Sequence, residues 1–89
     1  MGNTVKVYRH TVQSSEGMHA RPAGMFVKLG GKSKSTIEVQ KGEKRVNVHR
    51  IMAVMGLCIK QGESIEFYIE GEDEDEVLEQ VAQICRDAL

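Results

Sequence analysis

A two-layer α+β fold is what the residue pattern predicts, on three observations. Residues 35–40 and 64–70 alternate, with Ile37 and Val39 on one side of the first run and Ile65, Phe67 and Ile69 on one side of the second. A period of two means strands, each with one wet face. Val77, Leu78, Val81, Ile84 and Cys85 repeat instead at three-and-four spacing, as do Ala23, Phe26, Val27 and Gly30, which is the stripe of a helix lying on a core. The third observation is order: strand, helix, strand, strand, short helix, strand, helix. Short strands need a covering layer, and helices on one face supply it.

Each element has its own signal. Residues 4–13 are rich in β-branched side chains, but the apolar positions change parity between Val7 and Tyr8, so a strand with a bulge is expected. Residues 14–17 form the loop that follows. The first helix starts near Ala20, because Pro22 is best tolerated in a first turn, where its missing N–H has no carbonyl to lose. It should end at the glycine pair Gly30-Gly31. Gly24 inside it costs about 1 kcal/mol relative to alanine unless another surface must approach closely there. Lys41-Gly42-Glu43 turns the chain into a short strand over residues 44–48, making a β-hairpin. Residues 51–57 are apolar nearly all round, which in so small a domain reads as an exposed patch meant for a partner. Lys60-Gln61-Gly62-Glu63 turns into the last strand. The acids of residues 72–76 favour the N-terminus of the last helix, with Asp73 and Glu76 as a capping pair. Consecutive side chains at a helix start diverge, so no metal site is expected there.

The 89 residues make room for one domain, 1–89, which buries about 60–65% of its unfolded surface. Lysine and arginine total 12 against 13 acids, so net charge indicates neither a nucleic-acid surface nor a polyacidic tail. No apolar stretch of about 18 residues and no basic-then-apolar N-terminus is present, so neither membrane insertion nor secretion is expected and the location should be cytoplasmic. Cys58 and Cys85 stand in apolar sequence with no CxxC or histidine-ligand spacing. Both are expected to be buried, reduced, structural thiols.

The chemistry points to Gly17-Met18-His19-Ala20-Arg21-Pro22-Ala23. Gly17 allows a tight bend, and His19 then sits at or beside the N-cap, where unpaired N–H groups and the positive end of the helix dipole converge. Such a place attracts anions, phosphate above all. Arg21 adds a guanidinium that can fork onto phosphate oxygens. These residues support a histidine that carries a phosphoryl group; a histidine that merely caps a helix is the alternative.

With Val46-Asn47-Val48-His49-Arg50-Ile51-Met52-Ala53-Val54-Met55 and Glu70-Gly71-Glu72-Asp73-Glu74, that stretch resembles the phosphocarrier HPr family of the bacterial phosphoenolpyruvate:sugar phosphotransferase system. The likeness covers essentially the whole chain. It implies an HPr-like open-faced two-layer sandwich, a four-stranded antiparallel sheet with three helices on one face in the order β-α-β-β-α-β-α. It also implies His10 and Val12 on the inner face. Leu29 stands where the family commonly has polar residues and Ser33 where it usually has a core aromatic, so one can compensate for the other.

The resemblance implies that His19 takes phosphate at Nδ1 from the system's enzyme I and passes it to IIA proteins or domains, in sugar transport. Backbone N–H groups near Ala20 and Arg21, with the Arg21 side chain, would solvate the transferred group. The attacking imidazole must be neutral, and the helix N-terminus and Arg21 both oppose its protonation. No second carboxylate or metal set is apparent, and no cofactor is expected. That favours a carrier without independent turnover of a small substrate. Docking falls by family correspondence to Gly24, Met25 and Lys28 on the first helix and to Ile51, Met52 and Met55 on the short one, where flexible methionines suit several partners. Arg50 occupies the position of a serine that is phosphorylated for regulation in many Gram-positive HPr proteins, so that site is absent. A monomer is expected. The other readings are an HPr-like regulatory binding module, against which His19 speaks, and a small-ligand-binding domain, for which no enclosed polar pocket is evident.

Overall fold

The sheet follows from alternation. In the computed structural model, which describes residues 5–89, every second residue of the last strand turns inward: Ile65, Phe67 and Ile69 are buried. The element order is β1 (Lys6–Thr11), α1 (Ala20–Lys32), β2 (Ser35–Lys41), β3 (Lys44–Asn47), α2 (Ile51–Gly56), β4 (Ser64–Gly71) and α3 (Glu74–Ala88). The strands lie in the order β1-β4-β2-β3, and every neighbouring pair is antiparallel. Strand β4 is therefore central. Its inward residues share one buried cluster with Ile37 and Val39 of β2, Phe26 of α1, Val54 of α2 and Val77 and Val81 of α3, so the helices cover one face. Phe26 sets its ring 4.7 Å from that of Phe67, a tilted pair joining α1 to the middle of the sheet.

The other face is open and polar. Arg45 lies over the Tyr68 ring at 3.6 Å, the Tyr68 hydroxyl donates to Glu66 at 2.9 Å, and Arg9 pairs with Glu66 at 2.7 Å. The Tyr68 hydroxyl and Arg9 together hold the Glu66 carboxyl below its ordinary range. No helix among the described residues is long and apolar enough to cross a membrane.

Several boundaries differ from the sequence expectation. Strand β1 carries no bulge: Lys6 opposite Ile69 through Thr11 opposite Ser64 is an unbroken register. The parity change arises because Val7 stands on the open face opposite Tyr68, half exposed at 49%, while Tyr8 and the half-buried His10 turn inward. Thr4, the start of the expected strand, lies outside the described residues. Helix α1 runs through Gly30-Gly31 to Lys32 and closes with the Ser33 N–H donating to the Leu29 carbonyl. Gly30 serves packing, since a Cβ there would lie 3.2 Å from His49 Nε2 and 3.5 Å from Val48 Cγ2. Val27 is only half buried. Leu29 is buried, and the half-buried Ser33 donates its hydroxyl to the Ser35 carbonyl at 3.1 Å, so Leu29 supplies apolar volume in a region where Ser33 does not.

The Asp73–Glu76 capping pair does not form, because Asp73 is engaged elsewhere. Its carboxylate accepts the Lys34 N–H at 2.9 Å and the Ser35 hydroxyl at 2.6 Å, tying the start of α3 to the start of β2. The Lys34 N–H first, and then the Ser35 hydroxyl, hold the Asp73 carboxyl below its ordinary value of 3.8. A carboxyl with a lowered folded-state pKa contributes stability above its unfolded pKa and loses it as pH falls through the folded one. Asp73→Asn should therefore lower the unfolding midpoint at neutral pH, with the gap to the wild type narrowing below about pH 4. Denaturation curves across that range would show it, and a gap independent of pH would remove the carboxylate from the account.

The cysteines divide. Burial pushes the Cys85 thiol up to about 12, an inert core group as expected. Cys58, expected to be buried, is exposed and has a positive φ of 53°, because it turns the chain out of α2 with its N–H donating to the Met55 carbonyl. A non-glycine residue is strained there. Cys58→Gly should stabilise the fold by about 0.5–1 kcal/mol, the relief of strain outweighing the added freedom of the unfolded chain. Chemical denaturation measures this, and a loss of stability would mean that the Cys58 side chain holds the turn.

Candidate functional site

The site is built on a pinned turn. Ser14 accepts the Glu16 N–H on its hydroxyl at 3.2 Å and the Gly17 N–H on its carbonyl at 3.1 Å. Gly17 has φ +62°, and a Cβ on it would collide with the carbonyl oxygen of Ile59. Only glycine fits that approach. Buried Met18 then donates its N–H to the same Ile59 oxygen at 3.0 Å, fixing the chain one residue before His19.

His19 is the N-cap of α1, with φ −95° and ψ −172°, and its carbonyl receives the Ala23 N–H, the first helical bond. Its imidazole makes no cap hydrogen bond, so helix capping is not what this ring does. The side chain is 31% exposed, and Nε2 lies 3.2 Å from Glu16 Oε1. Nδ1 has no protein partner among the described residues. Ala20 and Arg21 fill the first two helical positions and Pro22, which has no N–H, the third. The N–H groups of Ala20 and Arg21 thus have no carbonyl one turn back within the helix. Arg21 is exposed and lines an open groove with Ser14, Gln13 and Arg86. Its guanidinium pairs with nothing among the described residues. Three consecutive residues thus contribute a ring nitrogen without a protein partner, two helix-start N–H groups and a cation, the kinds of group that bind a phosphoryl group, although His19 does not line the groove that Arg21 lines. No cluster of three or more His, Cys, Asp or Glu residues placed to hold a metal occurs among the described residues.

The residues expected to dock partners lie on the flanking helices. Gly24 has open space where a Cβ would be, Met25 is half buried and Lys28 is exposed. Met25 and Lys28 line a groove with Gln80 and Ile84 of α3. On α2, which packs against α1, Met52 is 80% exposed and Ile51 37%, while Met55 is half buried and Val54 buried. The apolar patch on α2 is therefore narrower than its sequence, centred on Ile51 and Met52. Arg50 is the exposed N-cap of α2 and makes no side-chain cap bond. Glu16 was not singled out by the sequence reading. The available signal was a carboxylate three residues before the histidine, across a glycine that bends the chain back.

Comparison with known proteins agrees with this geometry. The family model described as "PTS HPr component phosphorylation site" matches residues 8–87. Phosphocarrier protein HPr of Lysinibacillus sphaericus is 42% identical over 80 residues, covering 90% of this chain and 91% of the relative. HPr-like protein Crh of Bacillus subtilis (strain 168) is 37% identical over 78 residues, covering 88% of this chain and 92% of the relative. The crystal structure of a phosphocarrier protein HPr from Bacillus anthracis str. Ames superposes with a TM-score of 0.84 at 35% identity, covering 93% of this chain and 99% of that one. A match over nearly the full length, on a sheet and helix arrangement of the same kind, means that this chain belongs to the HPr family of phosphotransferase-system phosphocarriers.

Proposed function

We propose that this chain, as one HPr-like unit over residues 1–89, is a histidine phosphocarrier. It accepts the phosphoryl group derived from phosphoenolpyruvate from enzyme I on Nδ1 of His19 and hands it to IIA proteins or domains. The observation that carries this reading is that His19 occupies the helix N-cap without using its ring as a cap, leaving Nδ1 without a protein partner among the described residues, directly before Ala20 and Arg21 in the first turn of α1. Those groups neutralise the phosphoryl oxygens, so the protein contributes position and charge. The site is open, as a carrier that must present its cargo to a second protein requires. An HPr-like regulatory module is the second reading, favoured by the likeness to Crh; the presence of His19 favours the carrier. Two assays separate them. A carrier passes labelled phosphate from enzyme I onward to a IIA protein, whereas a regulatory module binds its target without doing so.

Docking is assigned to the surfaces beside His19: Gly24, Met25 and Lys28 on α1, and Ile51, Met52 and Met55 on α2. Arg50 takes the place of a phosphorylatable serine, so kinase control at that position is absent. Met52→Asp should raise the apparent KM for donor and acceptor about tenfold or more, the scale of a buried anchor at a protein interface. Because Met52 is 80% exposed, the unfolding temperature should barely change. A marked loss of stability with normal KM would instead assign Met52 to the fold.

A further inference from the structure

Among the described residues, Glu16 makes the only polar contact of the His19 ring. Its backbone is held on the same turn that delivers His19, through the Ser14 hydroxyl and the bend at Gly17. Its side chain reaches forward so that Oε1 lies 3.2 Å from His19 Nε2. A carboxylate oxygen is negative and accepts hydrogen bonds without donating them, so its approach to Nε2 favours the proton on that nitrogen over a bare lone pair there. In neutral imidazole that leaves the lone pair on Nδ1. We infer that Glu16 is a positioning residue, holding His19 in the Nε2–H tautomer with Nδ1 as nucleophile and stabilising the positive charge the ring acquires on phosphorylation. This inference rests on the carrier reading of His19 and deepens it.

The electron accounting supports the role. The Nδ1 lone pair forms a bond to the phosphorus of the donor's phosphohistidine, the donor's P–N bond breaks, and its electron pair returns to the donor imidazole. His19 keeps its Nε2 proton, so with both nitrogens substituted the ring is formally an imidazolium. The charges that follow His19 in the chain, Arg21 and the start of α1, are positive. They stabilise the phosphoryl oxygens but not the cationic ring, and Glu16 supplies the opposite charge at the atom that needs it. On transfer to an acceptor the P–N electron pair returns to Nδ1 and the ring is neutral again.

The Glu16 side chain is 71% exposed, so the effect should be that of a solvated pair, about two- to fivefold in rate. Two variants separate geometry from charge: Glu16→Gln keeps an oxygen acceptor but loses the charge, and Glu16→Ala loses both. Nitrogen-15 NMR of the unphosphorylated ring, recorded where it is neutral, should give the Nε2–H tautomer in the wild type and in Glu16→Gln, and a mixture in Glu16→Ala. Rapid-quench phosphorylation by enzyme I should be slowed in both variants, more in Glu16→Ala. An unchanged tautomer in Glu16→Ala overturns the inference, and so do transfer rates that are unchanged or raised in both variants. If the wild type takes no phosphate at all, the carrier reading fails, and the tautomer measurement still decides whether Glu16 orients the ring.

Discussion

His19→Ala is expected to abolish acid-labile phosphorylation completely while the domain stays folded. The ring is partly exposed and makes no cap bond, and the backbone carbonyl that starts α1 survives the change. The stability cost should stay within about 0.5 kcal/mol, since there is no cap interaction to lose. Neither remaining histidine can take over. His10 is half buried among the inward residues of β1, and its Nε2 is sealed from solvent without a hydrogen-bond partner. His49 packs beside Gly30, about 15 Å along α1 from its start at 1.5 Å per residue. Phosphate analysis of the variant after incubation with enzyme I and phosphoenolpyruvate is the check. Label of wild-type intensity would assign the nucleophile to another residue.

Gly17→Ala should produce the largest loss of stability of any change at the site. The position combines φ +62° with direct approach to the Ile59 carbonyl, so a methyl group must displace either the turn or residues 59–60. That carbonyl also receives the Met18 N–H, and its movement would release the turn that presents His19. A penalty of at least about 2 kcal/mol follows from combined strain and lost contacts, or roughly 10 °C in a domain of this size. Thermal unfolding measures it, and phosphorylation at a temperature where the variant is still folded should be slowed as well. A variant as stable as the wild type would mean that the turn yields easily, leaving the fixed presentation of His19 without support.

How much of this was legible in the sequence depends on how local each cause is. Strand β4 could be read because Ile65, Phe67 and Ile69 announce their face residue by residue, and α3 because Val77, Val81 and Cys85 keep helical spacing into the core. Gly30-Gly31 misled because a glycine pair normally stops a helix, whereas here the close approach of His49 and Val48 gives Gly30 a packing reason. Asp73 was assigned to its own helix, but its partners, Lys34 and Ser35, are almost forty residues away. Cys58 looked buried by neighbourhood, and its exposure follows from the backbone turn after α2. At the site, His19, Arg21 and Pro22 were legible because helix starts have strong local chemistry. Glu16 was not, since its reach to Nε2 depends on the left-handed bend at Gly17 that folds the loop back on itself.

The most direct test of the central claim is to incubate the wild-type protein with phosphoenolpyruvate and enzyme I, then measure intact mass before and after mild acid and map the phosphate. The account predicts one phosphoryl group, lost in acid and located on Nδ1 of His19. An acid-stable phosphate on Ser14, Ser15 or another serine, or no phosphate at all, would contradict it.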